Sequence, residues 1–283
     1  MSFSKELKEE LSKTENLANK EAVEYELNGY LISSNITEEK EKIKFNTENE
    51  YNINRFARLL SNMNINNYEI TLQGKIYIIT LNKKEIDKLK KVNIEDLKQE
   101  QLKSLIKGAY LGGGSINNPE NKYHLEIGIA IEKDAENMVK VLQRFDIKSN
   151  LMKKKKYYTI YIKDGEEISK FLALLGASKS VLKFEEIRVQ REMNNKINRI
   201  VNCESANLNK TINASIEQIE AIKRLKKSHK FAKLSESLKE IANLRLENPN
   251  ASLIELGKML KEPVGKSGVN YRLKKIMEIA NEK

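Results

Sequence analysis

The chain has 283 residues, of which 40% are hydrophobic and 32% are charged, and its formal net charge is +11. This length fits about two domains, and the composition is that of a folded, charge-rich protein, which excludes a disordered or membrane-embedded chain. The single cysteine, Cys203, excludes internal disulfides, and with only two histidines the sequence predicts no metal site built from Cys or His. Residues 1–13 are charged throughout, which predicts no signal peptide, and we therefore expect a cytoplasmic protein.

The positive charge is concentrated towards the C-terminus. Residues 210–283 carry a net charge of +7, whereas the rest of the chain carries only +4. A basic C-terminal region is the electrostatic footprint of a protein that binds the phosphate backbone of nucleic acid. The alternative is that the charge serves solubility alone, since 42 of the 51 basic residues are lysine.

The first part of the chain repeats one order of predicted elements at an offset of 79 residues. Segments 22–34 (AVEYELNGYLISS) and 101–113 (QLKSLIKGAYLGG) both have the apolar spacing of a helix. In the first repeat, the pattern then predicts a strand near 42–47, a helix near 52–62, strands near 67–72 and 75–81, and a helix from Lys83. In the second repeat, it predicts a strand over 123–131, a helix over 133–145, strands over 148–153 and 157–163, and a helix from about Gly165.

Small residues on the two leading helices predict how the repeats pack together. Gly29 and Ser33 in the first repeat match Gly108 and Gly112 in the second. Small residues four positions apart let two helix backbones approach closely. We therefore expect the leading helices to lie side by side on a pseudo-two-fold axis, with a four-stranded sheet on each side, in an α+β domain.

Residues 108–116 (GAYLGGGSI) lie along the helix-end motif Gly-Φ-Φ-Asp-Gly-Asp-Gly-Ser-Φ, and the repeats around them resemble the LAGLIDADG homing-endonuclease fold. The resemblance implies a nuclease scaffold in which one carboxylate at the foot of each axial helix holds the catalytic metal ions. The matching positions are Ser34 and Gly113, which are unable to replace carboxylates as Mg²⁺ ligands. We therefore predict a degenerate domain with no catalytic residue, no metal and no cofactor.

An active or nicking LAGLIDADG-type endonuclease is the alternative. It would have to use other acids, such as Glu38, Glu39 and Glu120, which lie past the ends of the predicted helices and lack partners at matched spacing. No GxGxxG or phosphate-binding-loop motif is present in the sequence.

The C-terminal part of the sequence predicts helices only. The predicted elements are a helix near 213–227, a helix near 235–247, a short helix beginning at Ser252, and a final helix for which Ser267 is the expected N-cap. A short helix, a tight turn over Lys261–Gly265 and a longer basic helix are typical of a helix-turn-helix. The polar segment 204–214 predicts a linker between this module and the first domain.

At 100° per residue, the last helix has one face for the core and one for DNA. Val269, Leu273, Ile276 and Ala280 share the core face. On the opposite face lie Ser267, Tyr271 and Lys274, flanked by Asn270 and Lys275. Their hydroxyl, amide and cationic groups suit base edges and phosphates, whereas Arg272 lies nearer the core edge and is expected to reach a phosphate. An ordinary solvated amphipathic helix is the alternative. The predicted DNA-binding residues are Ser252, Lys266, Ser267, Asn270, Tyr271, Arg272, Lys274 and Lys275.

Three stretches resemble the WhiA family of bacterial sporulation and cell-division regulators: 199–208 (RIVNCESANL), 244–256 (LRLENPNASLIEL) and 266–276 (KSGVNYRLKKI). The resemblance implies a non-enzymatic, DNA-binding regulator of the transcription-factor type, linked to cell division, chromosome segregation or sporulation. It also implies double-stranded DNA as partner, with RNA polymerase or a second transcription regulator as the candidate protein partner. We expect a monomer that is nucleoid-associated and does not bind membranes, although a protein-binding scaffold remains an alternative.

The predicted domain boundaries follow from these patterns. The LAGLIDADG-like domain is predicted over 1–203, with its two repeats at about 19–91 and 100–175. The linker is predicted over 204–214, and the helix-turn-helix domain over 215–283.

Overall fold

The computed structural model describes residues 2–13, 17–87, 89, 93–228 and 230–282. The chain divides into two compact units, Met1–Glu192 and Met193–Lys283. Each unit has its own hydrophobic core. Within the described residues, no helix combines the length and the apolar character that crossing a lipid bilayer requires.

The first unit contains the predicted repeat, preceded by helix α1 (Phe3–Lys13). The first repeat comprises α2 (Lys20–Leu31), β1 (Ile36–Glu39), β2 (Lys42–Thr47), α3 (Glu50–Asn62), β3 (Tyr68–Gln73), β4 (Ile76–Asn82) and α4 (Lys83–Ile86). The second repeat comprises α5 (Gln99–Gly113), β5 (Gly114–Ile116), β6 (Leu125–Ile129), α6 (Glu132–Gln143), β7 (Asn150–Lys153), β8 (Tyr158–Ile162) and α7 (Gly165–Leu174).

Each repeat forms a four-stranded antiparallel sheet, and the two sheets have equivalent strand orders, β1-β2-β4-β3 and β5-β6-β8-β7. The register places Phe45 opposite Ile79 in the first sheet and Ile127 opposite Ile160 in the second. These four side chains are buried, because alternate residues of a strand point to the same face of its sheet. The edge strands β1 and β5 were not among the individual strands predicted, since they are short and have no apolar alternation.

Helices α2 and α5 lie against each other at backbone distance, as the matched small residues predict. A Cβ atom placed on Gly29 would meet the backbone of Leu105 and Ala109, and one placed on Gly108 would meet the backbone of Glu26. A Cβ on Gly112 would lie 2.6 Å from Ser33 Oγ. The prediction that the two repeats pack through these helices is therefore confirmed.

A buried ion pair joins α2 to α3 beside this contact. Arg55 donates two hydrogen bonds to the Glu26 carboxylate, from Nε to Oε1 at 2.9 Å and from Nη2 to Oε2 at 2.8 Å. The side chains of Arg55 and Glu26 are only 1% and 6% exposed, and Lys107 Nζ lies 3.9 Å from Glu26 Oε2. One carboxylate thus pairs with a fully buried guanidinium and lies near a second cation.

Helix α1 belongs to the core of the first unit, although the sequence analysis assigned it no element. Leu7 and Leu11 are fully buried. Glu10 accepts hydrogen bonds from the backbone N–H groups of Lys179 and Ser180, at 2.8 and 3.0 Å, and from Ser180 Oγ at 2.6 Å. These are the first residues of helix α8 (Ser178–Lys227), whose otherwise unpaired N-terminal amides are satisfied by this carboxylate.

Helix α8 corrects the predicted linker. The segment 204–214 lies within this 50-residue helix, and its side chains are exposed throughout. The division between the two compact units falls after Glu192 and not after Cys203. The polar segment lacks an apolar period because no face of the helix is buried here, and a lack of periodicity therefore does not distinguish a solvated helix from an irregular linker.

The second unit is helical, as predicted. After the C-terminal part of α8 come a 3₁₀ turn (Lys230–Lys233), α9 (Glu236–Glu247), α10 (Leu253–Met259) and α11 (Lys266–Asn281). All four helices contribute buried side chains to one core. These include Ile222 from α8, Ile241 from α9, Leu256 from α10, and Val269 and Leu273 from α11.

Candidate nucleic-acid interface

Helix α10 begins with a capping box formed by Ser252 and Glu255. Glu255 N donates to Ser252 Oγ at 3.2 Å, and Ser252 N donates to Glu255 Oε2 at 2.7 Å. The predicted start of the short helix at Ser252 is therefore confirmed. In this structure the Ser252 hydroxyl accepts the capping hydrogen bond, and its remaining donor capacity could serve a DNA phosphate.

The turn between α10 and α11 depends on Gly257, which the sequence analysis did not single out. Val264 N donates to Gly257 O at 3.2 Å, and a Cβ atom on Gly257 would collide with the carbonyl oxygen of Val264. Only glycine lets the backbone before α11 return this closely to α10. The signal in the sequence is the glycine inside the otherwise helical segment LIELGKML.

Arg245 stabilises the turn between α9 and α10, and the sequence analysis did not single it out either. Its side chain is 1% exposed, and Nη1 donates to the carbonyl oxygens of Ala251 at 2.7 Å and Pro249 at 3.3 Å. Burial lowers the pKa of the guanidinium from its usual value. A helical wheel could have found it, because Arg245 lies four residues after the buried Ile241.

Helix α11 begins one residue after Gly265, which is its N-cap, and not after Ser267. Ser267 lies in the first turn and makes no capping hydrogen bond within the described residues. The prediction of Ser267 as N-cap is wrong because the chain already has helical geometry at Lys266, before the hydroxyl residue that usually marks a helix start. The predicted core face is nearly correct: Val269, Leu273 and Ile276 are fully buried, and Ala280 is half-buried.

The opposite face of α11 is exposed and free of carboxylates over its first three turns. Between Gly265 and Met277 the sequence has four cationic residues and no acidic residue. Tyr271 is 65% exposed. The exposed side chains that the structure brings together on this helix are those of Lys266, Ser267, Asn270, Tyr271, Lys274 and Lys275. This set combines donors and acceptors for base edges with cations for phosphates.

Arg272 is placed differently from the other predicted residues. It is half-buried and lines a groove of about 780 Å³ together with Glu247 of α9 and Glu262 of the turn. This groove has both acidic and basic side chains. Arg272 therefore lies beside the exposed face of α11 and not on it, as its predicted position near the core edge implies.

The feet of the axial helices in the first unit have no room for a catalytic carboxylate at position 113. A Cβ on Gly113 would collide with the carbonyl oxygen of Gly128 and lie 3.2 Å from Ser33 Cβ. Ser34 N donates to the same Gly128 oxygen at 2.9 Å. Among the residues that the structure describes, no three His, Cys, Asp or Glu side chains come together as a metal site.

Two family models match the chain. Residues 102–194 match the WhiA LAGLIDADG-like domain, and residues 197–280 match the WhiA C-terminal HTH domain. A protein of Clostridium tetani named probable cell division protein WhiA is 38% identical, in an alignment that covers 100% of this chain and 98% of the relative. The chain belongs to the WhiA family.

Other WhiA proteins are similar over different lengths. The probable cell division protein WhiA of Clostridium acetobutylicum is 50% identical over 183 residues, and this alignment spans 65% of the chain but only 58% of the relative. The crystal structure of full-length WhiA from Thermatoga maritima has a TM-score of 0.62 at 29% identity and covers 99% of this chain and 98% of that one. The N-terminal LAGLIDADG domain of WhiA, solved alone, has a TM-score of 0.56 at 25% identity and covers 62% of this chain and 90% of that one. The predicted fold, a LAGLIDADG-like domain followed by a helix-turn-helix, is confirmed.

We expect Gly257→Ala to destabilise the second unit by about 1–3 kcal/mol, because the added methyl group collides with backbone and not with a flexible side chain. Calorimetry of the full chain would measure this as a lower melting temperature for the transition of that unit. Ser267→Ala is the control, since it removes one exposed hydroxyl and adds no atom to the turn. Equal melting temperatures of the two variants would contradict the assigned role of Gly257.

Proposed function

We propose that this WhiA protein is a non-enzymatic, DNA-binding regulator of transcription that acts in cell division, chromosome segregation or sporulation. The observation that carries the proposal is the exposed face of α11, which follows a tight turn and over its first three turns presents donors, acceptors and cations without a carboxylate. In helix-turn-helix proteins, the second helix enters the major groove and its N-terminal residues contact base edges. The relatives named as cell division proteins support the biological setting.

Double-stranded DNA is the proposed partner, bound by a monomer in the cytoplasm at the nucleoid. RNA polymerase or a second transcription regulator is the proposed protein partner. Mapping of genome-wide occupancy, together with sedimentation of the purified protein, tests these points. Occupancy that is absent from promoters and from segregation-associated loci, or a dimer at micromolar concentration, would overturn them.

Lys274→Ala and Lys275→Ala should each weaken DNA binding to a similar extent on any sequence. Both ammonium groups are exposed, and a lysine that contacts a phosphate contributes to affinity through release of counterions. Each substitution should therefore reduce the slope of log K against log salt by about one unit. Fluorescence anisotropy at several salt concentrations measures this slope. An unchanged slope in both variants would show that these two lysines do not contact the phosphate backbone.

The purified protein should leave supercoiled plasmid DNA intact in Mg²⁺ or Mn²⁺. The reason is that Ser34 and the sterically closed Gly113 stand where the fold resemblance implies metal ligands. Agarose electrophoresis of the plasmid gives the readout, and a LAGLIDADG endonuclease with its own target plasmid is the positive control. Cleavage that disappears when Glu38, Glu39 or Glu120 is replaced would establish the endonuclease alternative instead.

A further inference from the structure

A pocket in the first unit has a lining that suits an anion. Its volume is about 550 Å³. It lies at the feet of the axial helices, between the N-terminal part of α1, the loop that joins β2 to α3, and the turn that joins β3 to β4. This volume is within the range of roughly 300–1,000 Å³ that is usual for small-molecule sites.

The charged groups that line the pocket are mostly cationic. Lys5 and Lys8 come from α1 and Lys75 from the β3–β4 turn, and Glu48 is the carboxylate among the lining residues. The remaining polar lining consists of hydroxyl and amide side chains, which include those of Ser2, Ser4, Asn35, Asn46, Asn49 and Ser115. Three ammonium groups and several neutral donors facing one carboxylate favour a ligand with more than one negative charge.

Lys8 provides the first specific indication of a missing partner. Its side chain is half-buried, and within the described residues its ammonium group makes no hydrogen bond or ion pair. Desolvation by burial lowers the pKa of Lys8 to about 8. A cation held in this way without a counter-ion would gain free energy from an anion placed in the pocket.

Asn49 provides the second, independent indication. It is 6% exposed, and its Oδ1 atom accepts a hydrogen bond from Asn52 N at 3.1 Å as the N-cap of α3. Its Nδ2 group is buried and has no hydrogen-bond partner among the described residues. A buried donor without a partner costs about 1–3 kcal/mol, so an acceptor that reached Nδ2 would stabilise this site.

The wall behind Asn49 is fixed by a buried hydrogen-bond network. Asn49 N donates to Thr47 Oγ1 at 3.2 Å, and Asn52 Nδ2 donates to Leu111 O at 2.7 Å. Tyr30 donates to Asn52 Oδ1 at 2.5 Å. These hydrogen bonds hold the loop in place before a ligand arrives, which favours binding.

We propose that this pocket binds a phosphorylated small molecule of nucleotide size. Lys5, Lys8 and Lys75 face its phosphate groups, and Asn49 Nδ2 donates to an oxygen of the ligand. A phosphate group fits these residues because its several oxygens accept many charge-assisted hydrogen bonds at once. The pocket is formed entirely by the first unit and does not depend on the DNA-binding face of α11.

Isothermal titration of the full chain with pyrophosphate and with ATP tests the proposal. We expect both to bind with a 1:1 stoichiometry. Asn49→Asp is the sharpest variant, because aspartate preserves the N-cap of α3 and replaces the free donor by a negatively charged oxygen. We expect at least tenfold weaker binding from this variant and from Lys8→Met, whereas Lys8→Arg should retain most of the affinity.

Lys20→Met is the matched control, since Lys20 is exposed at the start of α2 and does not line the pocket. It should bind pyrophosphate and ATP as the natural chain does. Thermal melting of each variant confirms that the fold is intact. Absence of binding at millimolar pyrophosphate and ATP, or unchanged affinity in Asn49→Asp, would overturn the proposal. So would a result in which Asn49→Asp weakens binding to duplex DNA while neither small molecule binds, because the pocket would then contact the DNA backbone.

Discussion

Glu26→Gln should lower the free energy of unfolding of the first unit by about 3–5 kcal/mol, the range for breaking a buried ion pair by removing one partner. The substitution keeps the volume of the side chain and removes only its charge. Arg55, whose side chain is 1% exposed, then loses its ion pair with this carboxylate, and Lys107 loses the same neighbour. The loss is large because the guanidinium remains charged in a poorly solvated position.

Tyrosine fluorescence of the full chain in urea is a suitable measurement. The protein has no tryptophan, and of its eleven tyrosines only Tyr271 lies in the second unit. The signal therefore reports almost entirely on the first unit, which avoids treating a two-unit chain as a single transition.

Glu39→Gln is the control for this experiment. It is the same chemical change in an ion pair with Lys44 whose carboxylate side chain is 62% exposed. Exposed pairs contribute at most about 1 kcal/mol, because water and salt screen them. If Glu26→Gln and Glu39→Gln shift the urea midpoint equally, the buried pair does not stabilise the contact between α2 and α3.

Asn270→Ala should weaken binding to the cognate duplex by about 1–3 kcal/mol, or roughly 5–150-fold, and should have a much smaller effect on random DNA. Asn270 is exposed in the N-terminal half of α11, the part of a recognition helix that meets base edges. An asparagine amide offers a donor and an acceptor to one base, so its removal affects sequence discrimination more than general affinity.

Titrations against cognate and random duplexes at two salt concentrations would separate these contributions. Leu273→Ala is the control for folding. Truncation of this fully buried side chain should lower the melting temperature of the second unit without changing the ratio of the affinities for cognate and random DNA. If Asn270→Ala and Lys274→Ala retain both affinities while the unit stays folded, α11 is not the recognition helix.

The sequence predicted the architecture wherever a residue pattern lay within one element or occurred in both repeats. Gly29 and Gly108 could be matched because the same spacing occurs twice, and the structure confirms the close helix contact that they allow. The core face of α11 could also be predicted, since three of its four assigned residues are fully buried. Strand β5, with only three residues and two of them small or polar, has too few side chains to show a period.

The parts that were missed depend on the path of the chain in three dimensions. The sequence cannot show that Arg245 reaches the carbonyl of Ala251, because the path of the intervening turn decides it. Arg272 was placed near the core edge from its angle on a helical wheel, and only the packing of α9 shows that it shares a groove with Glu247. The pocket that Lys8 and Asn49 share is formed by segments about forty residues apart.

The lack of space for a side chain at Gly113 limits which residues the fold can hold at that position. Restoring an aspartate there requires space that the carbonyl oxygen of Gly128 now occupies, so β6 would have to move away from the end of α5 before the new side chain could fit. That shift would disturb the hydrogen bond from Ser34 to the same carbonyl. An aspartate at position 113 therefore requires compensating substitutions around Gly128, and on its own it would reduce the stability of the first unit.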